Sequence, residues 1–382
     1  MNNKIKVLHI IPSLRKGGAE RLVLDICNEL IKRQNIEVKL IILNPENDYL
    51  YLSNKIDIIN INSFVSLSLK EKDNFNIDEL DLIINKFKPN IIHSHLFQSE
   101  IISRYRLYPN IVYITHLHSN MKSFNKFSIL DLFNKRKFTN YYEKKWVIKK
   151  YLQCNNHFIS ISKDTEVFFK KTLPKSLSNN IKLMFNAIDF NRFYNGTERK
   201  KNREKVRLIN VGSLVDKKNQ IFLVDIVDEL LKRGINTELI ILGSGPNKEK
   251  ILNKVTSLNL SENIKLLGNV EDVENYLNKS DIYLHSATYE PFGLVLLEAM
   301  ASGLPCITLD GKGNRDIIID GINGYMIYKQ EIDVFCDKIQ NLVNNEELYI
   351  KMSNNAIEFA RDFDIKIYID KLVDYYNELL NK

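Results

Sequence analysis

The stretch from Ser280 to Pro305 limits what this chain can fold into more than any other. It opens with Asp281-Ile282-Tyr283-Leu284, a short apolar run of β-forming residues, and Pro291-Phe292-Gly293 then breaks the chain. An apolar helix is predicted from about Gly293 to Ser302, stopped by Gly303 and Pro305. A Pro-Phe-Gly turn entering a helix aims several unpaired backbone N–H groups at one spot. The helix dipole makes that spot an anion site. Glu290 and Glu298 bracket it, and Glu298 lies within the apolar sequence Leu294 to Ala301, where a charge is costly unless paired. The chemistry alone leaves two readings open: a partnered pair, or a solvated helix face and an ordinary surface loop.

The spacing adds to this. Glu-x7-Glu around Pro-Phe-Gly-Leu, followed by Ala-Met-Ala-x-Gly-x-Pro, resembles the signature of glycosyltransferase family 4, a large family with the GT-B fold. The resemblance implies two Rossmann-like α/β domains facing across a cleft. It also implies a C-terminal helix that crosses back to the first domain.

The bulk properties agree with two globular domains. At 382 residues the chain is too long for one core. No apolar run reaches 18 residues, so no membrane-spanning helix is predicted. Met1-Asn2-Asn3-Lys4 leads directly into a strand, which leaves no room for a signal peptide. Cys27, Cys154, Cys306 and Cys336 form no CxxC pair and are expected to be buried thiols in a reducing cytoplasm. The net charge of +7 permits an anionic partner without naming one.

Strands are predicted at Lys6 to Ile11, Val38 to Leu43, Ile91 to His95, Ile111 to Leu117 and His157 to Ser162. The loop after the first strand, Lys16-Gly17-Gly18-Ala19-Glu20, is not GxGxxG, which disfavours a nicotinamide cofactor. Adjacent glycines suit either close approach to a ligand or only a tight turn. By resemblance, Gly17 and Gly18 face the donor's phosphate and sugar. His93, His95, His116 and His118 fall at or near strand ends. They read as two alternating pairs at separate strand ends, without nearby cysteine or acid cluster, which argues against zinc. The resemblance instead assigns the histidine closing this strand to the donor sugar. That residue is His118, or His116 if the register slips by two; His118 is preferred, and His93 and His116 are read as packing residues.

From Asn134 to Lys150 there are seven basic residues and one acid, interleaved with Phe138, Tyr141, Tyr142 and Trp146. This pattern fits a helix on an anionic membrane surface, a single-stranded nucleic acid site, or a plain solvated helix. The membrane surface is preferred, because enzymes of this family commonly act on lipid-linked acceptors, and no nucleic acid partner is expected. Met184 to Phe193 resembles the family's interdomain linker, and 197–205 is charged with no apolar pattern. The expected domains are 1–190, 191–364 and the returning helix 365–382.

In the second half, Val206 to Gly212 reads as a strand, and Ser213 to Asn219 is a loop carrying Lys217 and Lys218 ahead of a helix. A lysine there can neutralise a diphosphate as a point charge, or it is an ordinary surface lysine. The family pattern has Arg at the position of Ser213, Lys at Lys218 and Gly at Asn219. Ser213 can give one hydrogen bond but no charged fork. By resemblance, Gly243 (in Gly-x-Gly-Pro) and the turn Gly268-Asn269-Val270 line the nucleotide.

The resemblance thus implies a metal-independent retaining glycosyltransferase with no cofactor, using a nucleotide-sugar, with a UDP-sugar the expected donor, and a glycan or lipid-linked acceptor at the inner face of the cell membrane. Glu290, Lys218 and His118 are the expected catalytic residues. Gly17, Gly18, Ser213, Lys217, Gly243, Gly268, Asn269, Val270, Phe292, Gly293, Leu294 and Glu298 are the expected donor-binding set. A nucleotide-sugar 2-epimerase of the same architecture and an inactive binding subunit are the alternatives.

Overall fold

The computed structural model describes residues 4–68, 72–128, 131, 134–196 and 204–381. The linker residues 197–203 lie outside them. The chain divides into two compact units, Met1–Asn186 with Ile365–Lys382, and Ala187–Asp364.

The first unit is built on a seven-stranded sheet. Its spatial order is Ile58–Asn60, Ile36–Ile42, Ile5–Ile11, Ile91–His95, Val112–Leu117, Asn156–Ser160 and Ile181–Leu183. All neighbouring pairs are parallel. In chain order this is 3-2-1-4-5-6-7, a doubly wound sheet whose order reverses between the first and fourth strands. Strands buried on both faces need continuous apolar runs, which Ile5–Ile11 and Ile36–Ile42 supply. The edge strands Ile58–Asn60 and Ile181–Leu183, and the hairpin pairing Phe64–Ser66 with Asn74–Asn76, are three residues each. Such short segments carry too little periodicity to be predicted from sequence.

Helix Ile365–Leu380 belongs to this first unit and packs on Gly18–Leu30. It buries Ile365, Tyr368, Ile369, Leu372, Tyr375, Tyr376 and Leu379, a stripe at three- and four-residue spacing.

The second unit repeats the design with six parallel strands. Their order is Ile264–Gly268, Thr237–Leu242, Val206–Val211, Ile282–His285, Cys306–Leu309 and Gly324–Ile327, which is 3-2-1-4-5-6. Leu208, Leu223, Val227, Leu239, Ile282, Leu284 and Ile307 lie in its core. The boundary falls between Asn186 and Ala187, a few residues ahead of the expected 190/191 division. The reason is local: Ile188 N–H donates to Phe363 O at 3.0 Å, and Ser302 Oγ donates to Phe193 O at 3.2 Å, so the linker motif is tied into the second unit.

Cys27, Cys306 and Cys336 are buried free thiols as expected, while Cys154 is half-buried. No helix of the described residues is long and apolar enough to cross a membrane.

Candidate active site

In an open parallel sheet, ligands bind beyond the carboxyl ends of the strands where the order reverses. In the second unit that place is between the ends of Val206–Val211 and Ile282–His285. The two loops that leave these strands are stitched together. Thr288 N–H donates to Lys217 O at 2.9 Å, and Ser286 Oγ donates to Lys218 O at 2.8 Å. The result brings Lys218 Nζ onto Glu290 Oε2 as an ion pair. His285 Nε2 lies 3.1 Å from the same carboxylate oxygen. Burial opposes ionisation of Glu290, but the Lys218 ammonium and His285 outweigh it and hold the carboxyl well below the usual carboxylate range. His285 is pushed down by burial, with Glu290 partly opposing.

Glu290 is clamped from behind. Its N–H donates to Gly311 O at 2.8 Å, and Gly313 N–H donates to Glu290 O at 2.9 Å. A Cβ on Gly313 would sit 1.9 Å from Pro291 O, so only glycine admits this approach. His285 and the Gly311–Gly313 clamp were not assigned roles from sequence. The available signal was a Gly-Lys-Gly directly after a predicted strand.

Helix Leu294–Ala301 starts beside this carboxylate, with Gly293 as its N-cap at φ 108 and no capping side chain. A Cβ on Gly293 would meet Glu290 Cγ at 3.3 Å and Leu296 Cδ1 at 2.9 Å. Phe292 is buried, Leu294 and Glu298 are half-buried, and Lys217 is exposed with its ammonium 5.9 Å from the Tyr289 ring centre. Ser213 is also exposed. Gly243 has a packing role: a Cβ there would lie 2.1 Å from Gly212 O, and its N–H donates to Gly268 O at 2.7 Å. Gly268 itself has φ 73, a left-handed conformation that favours glycine, and Asn269 and Val270 follow it at the end of their strand.

In the first unit, Gly17 is the N-cap of Gly18–Leu30, in extended conformation. Its N–H donates to Tyr49 Oη at 3.0 Å, and Tyr49 donates back to Gly17 O at 3.1 Å. Gly18 is exposed at the first turn.

The histidines depart from the expectation of two separate pairs. In-register pairing of neighbouring parallel strands sets His9 beside His93 and His95 beside His116. With His118, five imidazoles then form one buried cluster, with ring centres 4.2 Å apart for His116–His118 and 4.5 Å for His93–His95. His9 was missed because a lone histidine in an apolar strand carries no pattern. The strand Val112–Leu117 ends one residue before His118, which is 8% exposed, whereas His9, His93, His95 and His116 are at 0%. Burial lowers His9 and His118 to about 3 and drives His93, His95 and His116 well below the ordinary range, so all five are neutral near pH 7. Two groups, His9/His93/His95 and His95/His116/His118, each have candidate ligand nitrogens within 4.8 Å of one another. Several of those nitrogens are taken by imidazole–imidazole hydrogen bonds, His9 Nδ1 to His95 Nε2 at 2.9 Å and His95 Nδ1 to His118 Nε2 at 3.0 Å. Leu96, directly after His95, has φ 65, a strained conformation for a branched side chain.

The basic segment forms helix Lys135–Leu152. Lys135, Arg136, Lys137, Lys145 and Lys149 are exposed, but the aromatics turn inward instead of presenting a lipid-facing stripe. Trp146 stacks on Tyr105 with centres 6.0 Å apart, and Tyr142 Oη donates to Ser68 O at 3.1 Å. Lys144 and Lys150 are likewise used internally, donating to Phe124 O at 3.2 Å and Tyr105 O at 2.8 Å.

Two doubly wound units, one carrying a lysine–glutamate pair beside an uncapped helix start, define a GT-B glycosyltransferase. The family model for glycosyltransferase family 4 matches residues 16–192, and that for glycosyl transferases group 1 matches 195–359. The chain belongs to glycosyltransferase family 4. Among curated relatives, it is 23% identical over 397 aligned positions to the UDP-Gal:alpha-D-GlcNAc-diphosphoundecaprenol alpha-1,3-galactosyltransferase of Escherichia coli, covering 99% of this chain and 98% of that one. It is 28% identical to the poly(ribitol-phosphate) alpha-N-acetylglucosaminyltransferase of Staphylococcus aureus, over 44% of this chain and 34% of that one. Among solved structures, Anabaena HepE in complex with UDP and glucose superposes with a TM-score of 0.76 at 16% identity, covering 98% of this chain and all of that one. The sucrose-phosphate synthase of Thermosynechococcus elongatus gives 0.78 at 15% identity, covering 99% and 100%. At such identities these structures speak for the fold.

Proposed function

We propose that this glycosyltransferase moves a sugar from a UDP-sugar, with retention at the anomeric carbon, to a glycan or lipid-linked acceptor in the building of a cell-surface polysaccharide. The observation that carries this is the Lys218–Glu290 pair at the reversal of the second sheet, beside the Gly293 helix start. Support for the donor and acceptor classes comes from the galactosyltransferase relative, which matches nearly the whole chain.

In this reading the diphosphate takes Lys218 from Glu290 and rests on the backbone N–H groups of Phe292, Gly293 and Leu294. Lys218 then stabilises the charge that develops as the bond from the anomeric carbon to the leaving phosphate breaks. Glu290, released, accepts from sugar hydroxyls, and Glu298 accepts from the ribose. The acceptor oxygen bonds to the anomeric carbon on the face the phosphate leaves, and its proton passes to the departing phosphate oxygen. Lys218 and the helix start supply the positive charge for this step, so the route calls on no metal. Gly17, Gly18 and His118 are assigned to the donor's phosphate and sugar, Ser213 and Lys217 to the diphosphate, and Gly243, Gly268, Asn269 and Val270 to the nucleotide.

The test is an NMR time course with a panel of UDP- and GDP-sugars and no acceptor. Slow release of UDP from one donor, with the sugar's first-formed anomer retained, is the expected result. Inversion, or an epimerised donor with its nucleotide still attached, overturns the reading.

The exposed charges of Lys135, Arg136, Lys137, Lys145 and Lys149 support electrostatic docking on an anionic membrane at the inner face of the cell membrane. At about 1 kcal/mol per basic residue near such a surface, the protein should float with phosphatidylserine-rich vesicles at low salt and be released in 0.5 M salt, where the screening length is about 4 Å. No flotation at low salt sinks the membrane partner.

A further inference from the structure

We propose that His9 and His95 are positioning residues that fix the tautomer of His118, holding its proton on Nδ1 so that the ring offers a neutral hydrogen-bond donor to its ligand. The consequence for catalysis rests on the reading of His118 as a sugar contact; the tautomer itself does not.

A neutral imidazole has one N–H and one lone pair. His95 uses both ring nitrogens, Nε2 against His9 Nδ1 and Nδ1 against His118 Nε2. If it accepts at one it must donate at the other, so the three rings hydrogen-bond in a single direction. Only two arrangements exist. In the inward one, His118 Nε2–H donates to His95, whose Nε2–H donates to His9, and the last proton sits on His9 Nε2. In the outward one, His9 Nδ1–H donates to His95 Nε2, and His95 Nδ1–H donates to His118 Nε2. His118 then carries its proton on Nδ1.

The buried end chooses between them. His9 is fully buried, and its Nε2 has no hydrogen-bond partner among the described residues. The inward arrangement leaves an orphaned N–H there, and the outward one leaves only a bare lone pair. Orphaned buried donors are the rarer and costlier of the two. The outward direction wins, and with it the Nδ1–H tautomer at His118. This opposes the preference of free histidine in water, which keeps its proton on Nε2. The chain therefore does something that sequence position alone would not.

A ring presenting Nδ1–H without charge recognises an oxygen lone pair, such as a sugar hydroxyl oxygen or an acetamido carbonyl. It gives no salt bridge to phosphate. The five-histidine cluster thus has a role for three of its members that is not packing.

The experiment is multiple-bond nitrogen NMR on the full chain labelled with ring-15N histidine, at pH 7.5. The chain has seven histidines, so single substitutions assign the signals. In the unsubstituted protein, His118 should show a protonated Nδ1 and a bare Nε2. His95→Ala should return it to the Nε2–H form, and His9→Ala should let the direction reverse or average. A His118 with its proton on Nε2 in the unsubstituted protein overturns the proposal without requiring any variant to fold. Stoichiometric loss or shift of the His9, His95 and His118 signals on adding zinc chloride, reversed by EDTA, overturns it in favour of a metal site. Failure of the donor panel with an unchanged Nδ1–H signal would count against the sugar-contact reading alone.

Discussion

Lys218→Ala will lower the rate of UDP release from the donor by about 100-fold or more, the usual cost of removing one group that stabilises developing charge in an acyl or phosphoryl transition state. The structure adds a complication that makes the prediction sharper. Lys218 is also the main partner holding the buried Glu290 carboxyl ionised, with side-chain exposures of 15% and 9% for the pair. Taking away one member of a buried pair leaves the other charge uncompensated, and stability should fall by up to about 3 kcal/mol. Lys218→Ala combined with Glu290→Gln removes that stranded charge. The double variant should recover most of the lost stability while staying as inactive as the single one. Urea denaturation and the donor time course read the two effects separately. Recovery of turnover along with stability would place Lys218 in the scaffold rather than in the chemistry.

The parts of this site that could be read in advance were those where one residue type is chemically forced. Pro291-Phe292-Gly293 ahead of an apolar helix foretells an open helix start, and the structure has it, with Gly293 at positive φ and no capping side chain. The strands with four or more apolar residues were legible for the same reason, because burial on both faces leaves no other composition. What could not be read was which loops cross. Nothing in Ser286 or Thr288 announces that they grip the carbonyls of Lys217 and Lys218, about 70 residues away along the chain. The histidines failed for a related reason. Two His-x-His patterns suggested two places, but neighbouring parallel strands place in-register residues side by side, so the pairs and His9 became one cluster. In the basic helix the charge pattern was legible, since Lys135, Arg136, Lys137, Lys145 and Lys149 are exposed, but the use of Trp146 and Tyr142 in packing was not.

That cluster makes the first unit sensitive to mild acid, with a sign fixed by its burial. His9 and His118 are lowered to about 3, and His93, His95 and His116 lie well below the ordinary value, with desolvation the first cause in each case. An unfolded histidine titrates near 6.5. Between about 6.5 and 3 the unfolded chain therefore binds more protons than the folded one. Stability is fully present above about 6.5 and falls as pH drops, by about 1.4 kcal/mol per pH unit for each proton of difference. With five such groups the unfolding free energy read by urea denaturation should fall steeply between pH 7.5 and 5.5, by roughly several kcal/mol in all, and the urea midpoint with it. The chain's one tryptophan, Trp146, lies in the first unit, so its fluorescence follows that unit directly. His116 offers the control: its ring is fully buried and desolvation is the first cause of its lowered value, so His116→Leu removes one group that resists protonation in the folded state. The variant should lose about one proton's worth of slope and become relatively more stable at pH 5.5. A Trp146 transition that does not move over this range would mean that the cluster opens to water or protonates in place, and the neutral, tautomer-ordered chain ending at His118 would fall with it.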